Sequence, residues 1–549
     1  MEIALRGDVH TYAGGLGVLA GDTLRSAADI GLPMVGVTLA SRQGYSRQEI
    51  DPQGWQVDAP DPWEPAELAR RLGAKVTVQI GGEDVWIQAW AYLLEGGAGH
   101  QVPVILLDTD VPENTREARR ITDSLYGGDR GYRFRQEMVL GIGGVRVLRA
   151  LGFDVYGYHL NEGHSALLGL ELGRQFQHPE ERRQAGQPSF DLDEVRRRCV
   201  FTTHTPVEAA HDRFDYALIE PLIGDSFGMA DLRLLGGDRD LNMTALALNL
   251  SGYVNGVAKR HAELSAQMFP GYHVHAITNG VHPGTWVCPG FAALFDAQVP
   301  TWRHEPELLV RVDRAPDEEV WNAHEAARSR LREEVRRCTG VALDPALPVI
   351  GFARRMTGYK RPDLLFTDLE RLRSIHGNQP FHVVIAGKAH PRDTEGKALI
   401  KQIHDHIREL DGAPQCVFLP DYDLPMAQWL IPGADVWLNT PLPPMEASGT
   451  SGMKAAFNGV LNLSVLDGWW LEGCIEGVTG WAIGNGESGP KGGDANALYD
   501  KLEQVVLPAF ADRAGWVWMM KQAVAKNAYY FNSHRMMRRY VTDAYMRFP

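Results

Sequence analysis

The sequence predicts an α/β protein of two doubly wound domains facing each other across a cleft. Three observations carry that prediction. The chain has 549 residues, too many for one hydrophobic core. Short apolar runs alternate with longer helical patterns, as parallel strands and their crossover helices do. After a proline-rich stretch with weaker periodicity, Pro283–Asp317, the alternation begins afresh.

The apolar runs come in order. They are Leu32–Ala40, Val102–Asp110 and Cys199–Pro206, then Leu347–Arg355, Phe381–Ala389 and Ala434–Pro441. Several are rich in β-branched residues and end in polar residues or glycine, the pattern of buried parallel strands with functional carboxyl ends. Arg135–Leu151 and Glu318–Arg337 have helical spacing. The second is so heavily charged that a solvated helix is expected. A domain junction is expected near Thr278–Pro300. This gives an N-terminal domain over 1–285 and a C-terminal domain over 286–549. A last helix at about 527–549 is expected to pack back on the N-terminal domain. No repeat of roughly 20–50 residues is visible.

Composition excludes several classes. A formal charge of −14 argues against a general nucleic-acid binder, which needs a basic surface. The 58 glycines fit many tight strand–helix turns. Five scattered cysteines, none in a CxxC pair, indicate neither a disulfide framework nor a zinc site, so a reducing cytoplasm is expected. The start "MEIALRGDVH" lacks a basic region followed by an apolar core, and no secretory leader is expected. No apolar run approaches the roughly 18–20 residues that span a bilayer, so no membrane is expected either.

Four constellations bear chemistry. "YAGGLGVLAGD" sets Gly14, Gly15 and Gly17 after a short strand-like start and before a helical pattern. Such glycines let backbone N–H groups approach an anion; a tight, closely packed turn explains them equally well. The glycines of "GIGGVRVL" sit inside a helical pattern and read as packing. "ARRMTGYKRP" gathers Arg354, Arg355, Lys360 and Arg361 at the end of a strand, where they suit a phosphate or face solvent. "HLNEGHSALLGLEL" and "TTHTPVEAAHDRF" put Asn161, Glu162, His164 and His204 at strand-to-helix junctions, placed to bond sugar hydroxyls. No spacing supports a metal there, and none is expected; His273 and His275 read as structural on one strand face.

The fourth constellation is "EASGTSGMKAAFNG", Glu446–Gly459. It reads as a loop after a buried strand, then a helix ended by Gly459. Ser448, Gly449, Thr450 and Gly452 offer hydroxyls and free N–H groups to an anion. Lys454 in the first helical turn is unfavourable by roughly 0.3–1 kcal/mol. A phosphorylated aldehyde cofactor would give that placement a reason, and an ordinary surface lysine remains the alternative.

"EASGTSGMKAAFNG" resembles the pyridoxal-phosphate motif of the glycogen/α-glucan phosphorylases, and the other segments resemble that family in its order along most of the chain. They include "YGGDRGYRFRQE", "NGVAKRHAELS", "ITNGVHPGTW", "GFARRMTGYKRPDLLF" and "AGKAHPRD". The likeness is to the compact, non-vertebrate type. It implies a GT-B architecture of two Rossmann-like domains with the active site in the cleft between them. It implies reversible phosphorolysis of an α-1,4-glucan such as maltodextrin by inorganic phosphate, giving α-glucose 1-phosphate with retained configuration.

The resemblance also implies roles. Lys454 would hold pyridoxal 5′-phosphate as a Schiff base. Thr450, Ser451, Gly452 and Arg354 would line its phosphate, with Tyr422 on the cofactor side. Arg355, Lys360 and the N–H of Gly15, beside Gly14, would bind the substrate phosphate. Glu446, Ser448, Gly449, Asn279 and His204 would contact the glucosyl unit, and Glu162 and His164 would line the cleft. Lys454, Arg355, Lys360 and His204 are the implied catalytic set. The family is commonly dimeric, so a homodimer is one expectation. The chain begins almost at "YAGGLG", so the effector and phosphorylation sites of animal members are not expected. Glu2 falls near an acidic position of the family, Thr357 stands where animal and plant members carry His, and Asp423 replaces an Arg. The competing reading is a nucleotide-sugar glycosyltransferase on the same fold, which has no use for a lysine inside "GTSGMK". A silent glucan-binding protein is a third, against which Lys454, Arg355 and Lys360 speak.

Overall fold

All six predicted apolar runs form strands. The computed structural model describes residues 1–183, 186–207, 211–486 and 491–548. Its contacts divide into two units. One holds 1–45, 60–278 and the described part of 536–549; the other holds Ser46–Ala59 and Asn279–Arg535.

The second unit is built on a six-stranded parallel sheet. Its spatial order is Gln415–Leu419, His382–Ala386, Val349–Ala353, Val436–Asn439, Leu461–Val465 and Gly480–Ile483. Numbered along the chain these strands run 3-2-1-4-5-6, the order of a doubly wound sheet. The first five-residue strand, Val349–Ala353, is buried throughout, which explains its unbroken apolar run. The order reverses between Val349–Ala353 and Val436–Asn439, where Ile350 pairs with Val436. Ligands of such sheets bind beyond the carboxyl ends at that reversal.

The charged helix expected over 318–337 forms as Asp317–Thr339, but it is not simply solvated. One face buries Val320, Ala323, His324, Ala327, Arg328, Leu331 and Val335. His324 Nε2 and Arg328 Nε meet Asp435 Oδ1 at 3.0 and 3.1 Å, and Val349 N donates to Asp435 Oδ2 at 2.8 Å. The antiparallel hairpin of Arg47–Ile50 and Gln56–Ala59 also belongs to this unit. Gln48 Nε2 donates to Gly387 O at 2.9 Å, and Gln56 exchanges two hydrogen bonds with the Ala389 backbone.

The first unit carries two four-stranded sheets. One is mostly antiparallel, in the order Gly36–Leu39, Gln101–Asp108, Glu83–Glu95 and Arg70–Ile80. The other is parallel: His275–Ala276, Tyr253–Gly256, Cys199–Thr202 and Tyr158–Asn161. The helix expected over 135–151 runs from Arg130 to Ala150 with a π-helical stretch at Val139–Gly143. The glycines there pack as expected: a Cβ on Gly143 would stand 2.4 Å from Ile87 Cδ1. His275 stacks on Tyr253 with centroids 4.4 Å apart and meets His273 edge-on at 4.2 Å. Near the end of the chain the helix is Ser533–Asp543, and Tyr540 and Tyr545 hydrogen-bond to Thr202 and His159 within this unit.

The strand-like start expected ahead of Tyr12 is absent. That segment is irregular and held by single contacts, Ile3 N to Thr11 O and Ala4 N to Gly17 O. Too few backbone groups pair in register to make a ladder. No described helix is long and apolar enough to cross a membrane.

Candidate functional site

In the second unit, the chemistry gathers at the carboxyl edge of the parallel sheet. Val349–Ala353 delivers Arg354 and Arg355, and these differ sharply. Arg354 is buried and Arg355 exposed. A short 3-10 turn, Gly358–Lys360, folds Lys360 back into the interior. The next strand in space, Val436–Asn439, leads into the loop that presents Glu446.

These three side chains converge. Glu446 Oε2 accepts from Arg354 Nη2 and from Lys360 Nζ, both at 2.5 Å. Burial alone would raise the Glu446 carboxyl; the two cations override it and take its pKa down to about 2. Arg354 and Lys360, expected on two different phosphates, thus share one carboxylate expected on sugar. Arg354 Nη1, Ser448 Oγ, Thr357 Oγ1 and Asn279 Oδ1 are buried without a hydrogen-bond partner among the described residues. Four such atoms in this unit are groups that a polar ligand could satisfy.

Lys454 is not a surface lysine. It is 6% exposed, and its Nζ lies 3.6 Å from the centroid of the Trp286 ring. The helix around it is Ser451–Ala456, begun by Thr450, whose hydroxyl makes no capping hydrogen bond. The Ser451 hydroxyl is engaged by Trp437 Nε1 at 3.0 Å. Gly452 stands where a Cβ would fall 2.4 Å from Asn462 Oδ1 and 2.7 Å from Trp469, so close packing requires its lack of a side chain. Gly449 has φ +82, which only glycine adopts without strain. Tyr422 is half-buried, and next to it Asp423 caps the helix Leu424–Gly433 by accepting from Met426 N at 2.8 Å. Asp423 therefore has a structural duty of its own.

In the first unit, the carboxyl edge of the parallel sheet carries Glu162 and His204. Glu162 sits at φ +72, an uncommon conformation for a non-glycine residue. Its carboxylate accepts from His204 N at 2.7 Å, Thr205 Oγ1 at 3.0 Å and Gly163 N at 3.3 Å. Burial outweighs these donors and raises its pKa to about 6. His204 Nε2 lies 2.5 Å from Asn161 Oδ1, and burial, with neighbouring histidines, pushes its imidazole down to about 3. Glu208 and Ala209 of "THTPVEA" lie outside the described residues.

His164 is gripped by groups the sequence did not single out. Its Nδ1 lies 3.0 Å from Arg133 Nη2 and 3.2 Å from Asp212 Oδ2, which are themselves paired at 2.9 Å. Burial, then Arg133, lowers its pKa to about 4, so the ring is neutral near pH 7. Ligand atoms of Glu137, His164 and Asp212 fall within 4.8 Å of one another. The Arg133 guanidinium, 3.1 Å from Glu137, already supplies the positive charge in that cluster.

The glycine turn is a modified cradle. Glu2 is buried, and its Oε2 accepts from Ala13 N at 2.6 Å and Gly14 N at 3.1 Å. The Gly14 N–H is therefore spoken for by an internal carboxylate. Gly15 opens the helix Gly15–Asp29, and nothing lies within 4 Å of the place a Cβ would take. Tyr126 completes the set by donating to Glu2 Oε1 at 2.9 Å.

Sequence reasoning missed Asp467, Arg133 and Asp212. Asp467 accepts from Glu446 N at 2.8 Å, and burial raises its carboxyl to about 6. The one signal available was position: Asp467 follows the strand Leu461–Val465 at the same sheet edge.

The chain as a whole is similar to known proteins. A family model described as carbohydrate phosphorylase matches residues 206–476. The chain is 38% identical to the maltodextrin phosphorylase of Thermococcus litoralis, with all of this chain and 70% of that protein covered. It is 37% identical to the glycogen phosphorylase of Aquifex aeolicus, covering all of this chain and 85% of that protein. An uncharacterised protein of Methanocaldococcus jannaschii is 31% identical over 99% of this chain and 98% of its own length.

Proposed function

The chain belongs to the carbohydrate phosphorylase family, and from that premise we propose that it is an α-glucan phosphorylase. It removes the non-reducing-end glucosyl unit of a maltodextrin or glycogen chain by reversible transfer to inorganic phosphate, with retained configuration. The glycosidic C1–O bond breaks, the leaving oxygen takes a proton, and a C1–O–P bond forms. On this reading the units are the two domains of a GT-B enzyme.

The cofactor we propose is pyridoxal 5′-phosphate. The residues fit it. Lys454 is buried, with its Nζ over the Trp286 ring, and a desolvated amine suits a covalent anchor for an aldehyde. Arg354 has a buried, unsatisfied Nη1, and Thr450 an uncapped hydroxyl, which together suit a phosphate. When bound, the group supplies a phosphate that exchanges a proton with the substrate phosphate.

The chain's own residues do the rest. In the second unit Arg355 and Lys360 are the cations for the substrate phosphate, and in the first unit the N–H of Gly15 is a donor of the same kind. Two phosphates held side by side repel, and Arg354 and Lys360 offset that repulsion. In the second unit Glu446, Ser448, Gly449 and Asn279 are the contacts for the glucosyl unit; in the first, the buried, neutral imidazoles of His164 and His204 suit hydroxyls without adding charge. The single observation that carries the proposal is the convergence of Arg354, Lys360 and Glu446 at the switch point of the sheet, with a buried lysine in the adjoining helix. The same lysine weighs against the nucleotide-sugar reading, which gives it nothing to do.

The test combines two assays. Maltodextrin and orthophosphate should yield glucose 1-phosphate in a phosphate-dependent manner. Borohydride reduction followed by peptide mapping should place a pyridoxyl group on Lys454. Transfer from a nucleotide sugar with no phosphate dependence would overturn the proposal.

A further inference from the structure

We propose that Asp467 is the positioning residue that sets the shape of the Glu446–Gly449 turn, and through it the aim of the Glu446 carboxylate. The proposal deepens the phosphorylase reading, since that reading gives the turn its glucosyl contacts.

The turn has no ladder of its own. It lies beyond the end of the strand Val436–Asn439 and before the helix Ser451–Ala456. Its shape comes instead from residues 467–469, which follow the neighbouring strand Leu461–Val465. Asp467 is 3% exposed; its Oδ2 accepts from Glu446 N at 2.8 Å and its Oδ1 from Gly468 N at 2.9 Å. Trp469 N donates to Ser448 O at 2.9 Å. Between them Gly468, at φ +54, lets the two backbones touch: a Cβ there would fall 2.4 Å from Ser448 O. One segment is thus templated on the other at three successive points.

Only a carboxylate suits position 467. Two N–H donors converge on its two oxygens, and a carboxylate offers acceptors alone. An amide of the same shape would turn an NH₂ group toward one of them. The consequence falls on Glu446, whose backbone N–H is one of the two donors. Its single oxygen Oε2 lies 2.5 Å from both Arg354 Nη2 and Lys360 Nζ, a geometry with little tolerance for displacement. Ser448, the next anchored residue, aims a buried hydroxyl that has no partner among the described residues. Displacing such groups by about 1 Å costs on the order of 10²-fold in rate.

The experiment compares the holoenzyme with its Asp467→Asn variant by three measurements. Hydrogen–deuterium exchange of peptides covering 442–453 should quicken at least about 10-fold, the equivalent of one lost hydrogen bond of about 1.4 kcal/mol. Cofactor content and melting temperature should stay near wild type. Glucose 1-phosphate turnover per bound cofactor should fall about 10²-fold, mostly in kcat. Unchanged exchange in 442–453 overturns the proposal whatever the activity. Loss of cofactor and melting temperature, with turnover per bound cofactor unaltered, also overturns it, because that is the signature of a merely structural residue. If the wild type itself makes no glucose 1-phosphate, the phosphorylase reading falls, and the exchange rates still decide the role of Asp467.

Discussion

The Lys360 ammonium stands 2.5 Å from the Glu446 carboxylate, and the same oxygen holds Arg354. Within this trio two cations meet one carboxylate, which leaves one positive charge over, and Asp467 adds a second carboxylate beside them. That surplus is what an anion would meet, and Glu446 is its internal competitor. Replacing Glu446 by Gln removes the competitor and keeps the size. Orthophosphate binding to the Glu446→Gln holoenzyme should tighten about 10-fold by calorimetry, equivalent to about 1.4 kcal/mol. Turnover should fall about 10–100-fold, as when a charged hydrogen bond worth about 1.5–3 kcal/mol is lost. Weaker phosphate binding would show that Glu446 organises the cations rather than competing for them.

The same pair makes stability depend on acid. The Glu446 carboxyl titrates at about 2, below its unfolded value of roughly 4.3. A lowered carboxyl contributes stability above its unfolded pKa and loses it as pH falls through the folded one. Its contribution, on the order of 3 kcal/mol, should be full above about pH 5 and should drain away between about pH 4 and pH 2. Urea unfolding of wild type and Glu446→Gln at pH 7 and pH 3 checks this. The gap between the two should narrow at pH 3.

Lys454 and Arg355 separate holding a cofactor from using it. Lys454→Ala should yield a folded protein with no retained pyridoxal group, read by absorbance after gel filtration. Arg355 is exposed, so its loss should leave folding and cofactor content intact. Its expected effect is a rise in the KM for phosphate of about 10-fold, one charged contact. Normal phosphate kinetics in Arg355→Ala would remove it from the phosphate site.

What the sequence made legible follows from where information is local. The strand runs such as "LPVIGFARR" and "FHVVIAGKA" are buried on both faces, so apolar continuity marks them without knowledge of their neighbours. Lys454 was conspicuous because a cation in a first helical turn is locally disfavoured. Asp467, Arg133 and Asp212 carry no such local oddity. Their roles come from partners 21, 31 and 48 residues away, Glu446 for the first and His164 for the other two. The hairpin Arg47–Ile50/Gln56–Ala59 escaped for the same reason, since its glutamines bond to Gly387 and Ala389 far along the chain.

Asp435 tests the scaffold under the site. It is 1% exposed beneath the sheet and holds His324, Arg328 and the Val349 N–H at once. Removing one partner of a buried pair costs about 3–5 kcal/mol, because the other is left uncompensated. Arg328 keeps Glu325 at 2.6 Å, so Asp435→Ala should sit near the lower end, about 3 kcal/mol. Asp435→Asn keeps one acceptor for Val349 N but loses the charge and turns an NH₂ toward His324 and Arg328, so it should cost less than Ala without being neutral. Denaturant midpoints of the two variants give the order. Turnover per folded molecule should stay near wild type in both, because Val349 begins its strand while Arg354 follows the other end. An Asn variant as unstable as the Ala variant would mean that the charge, rather than the hydrogen bond to the first strand, holds this layer together.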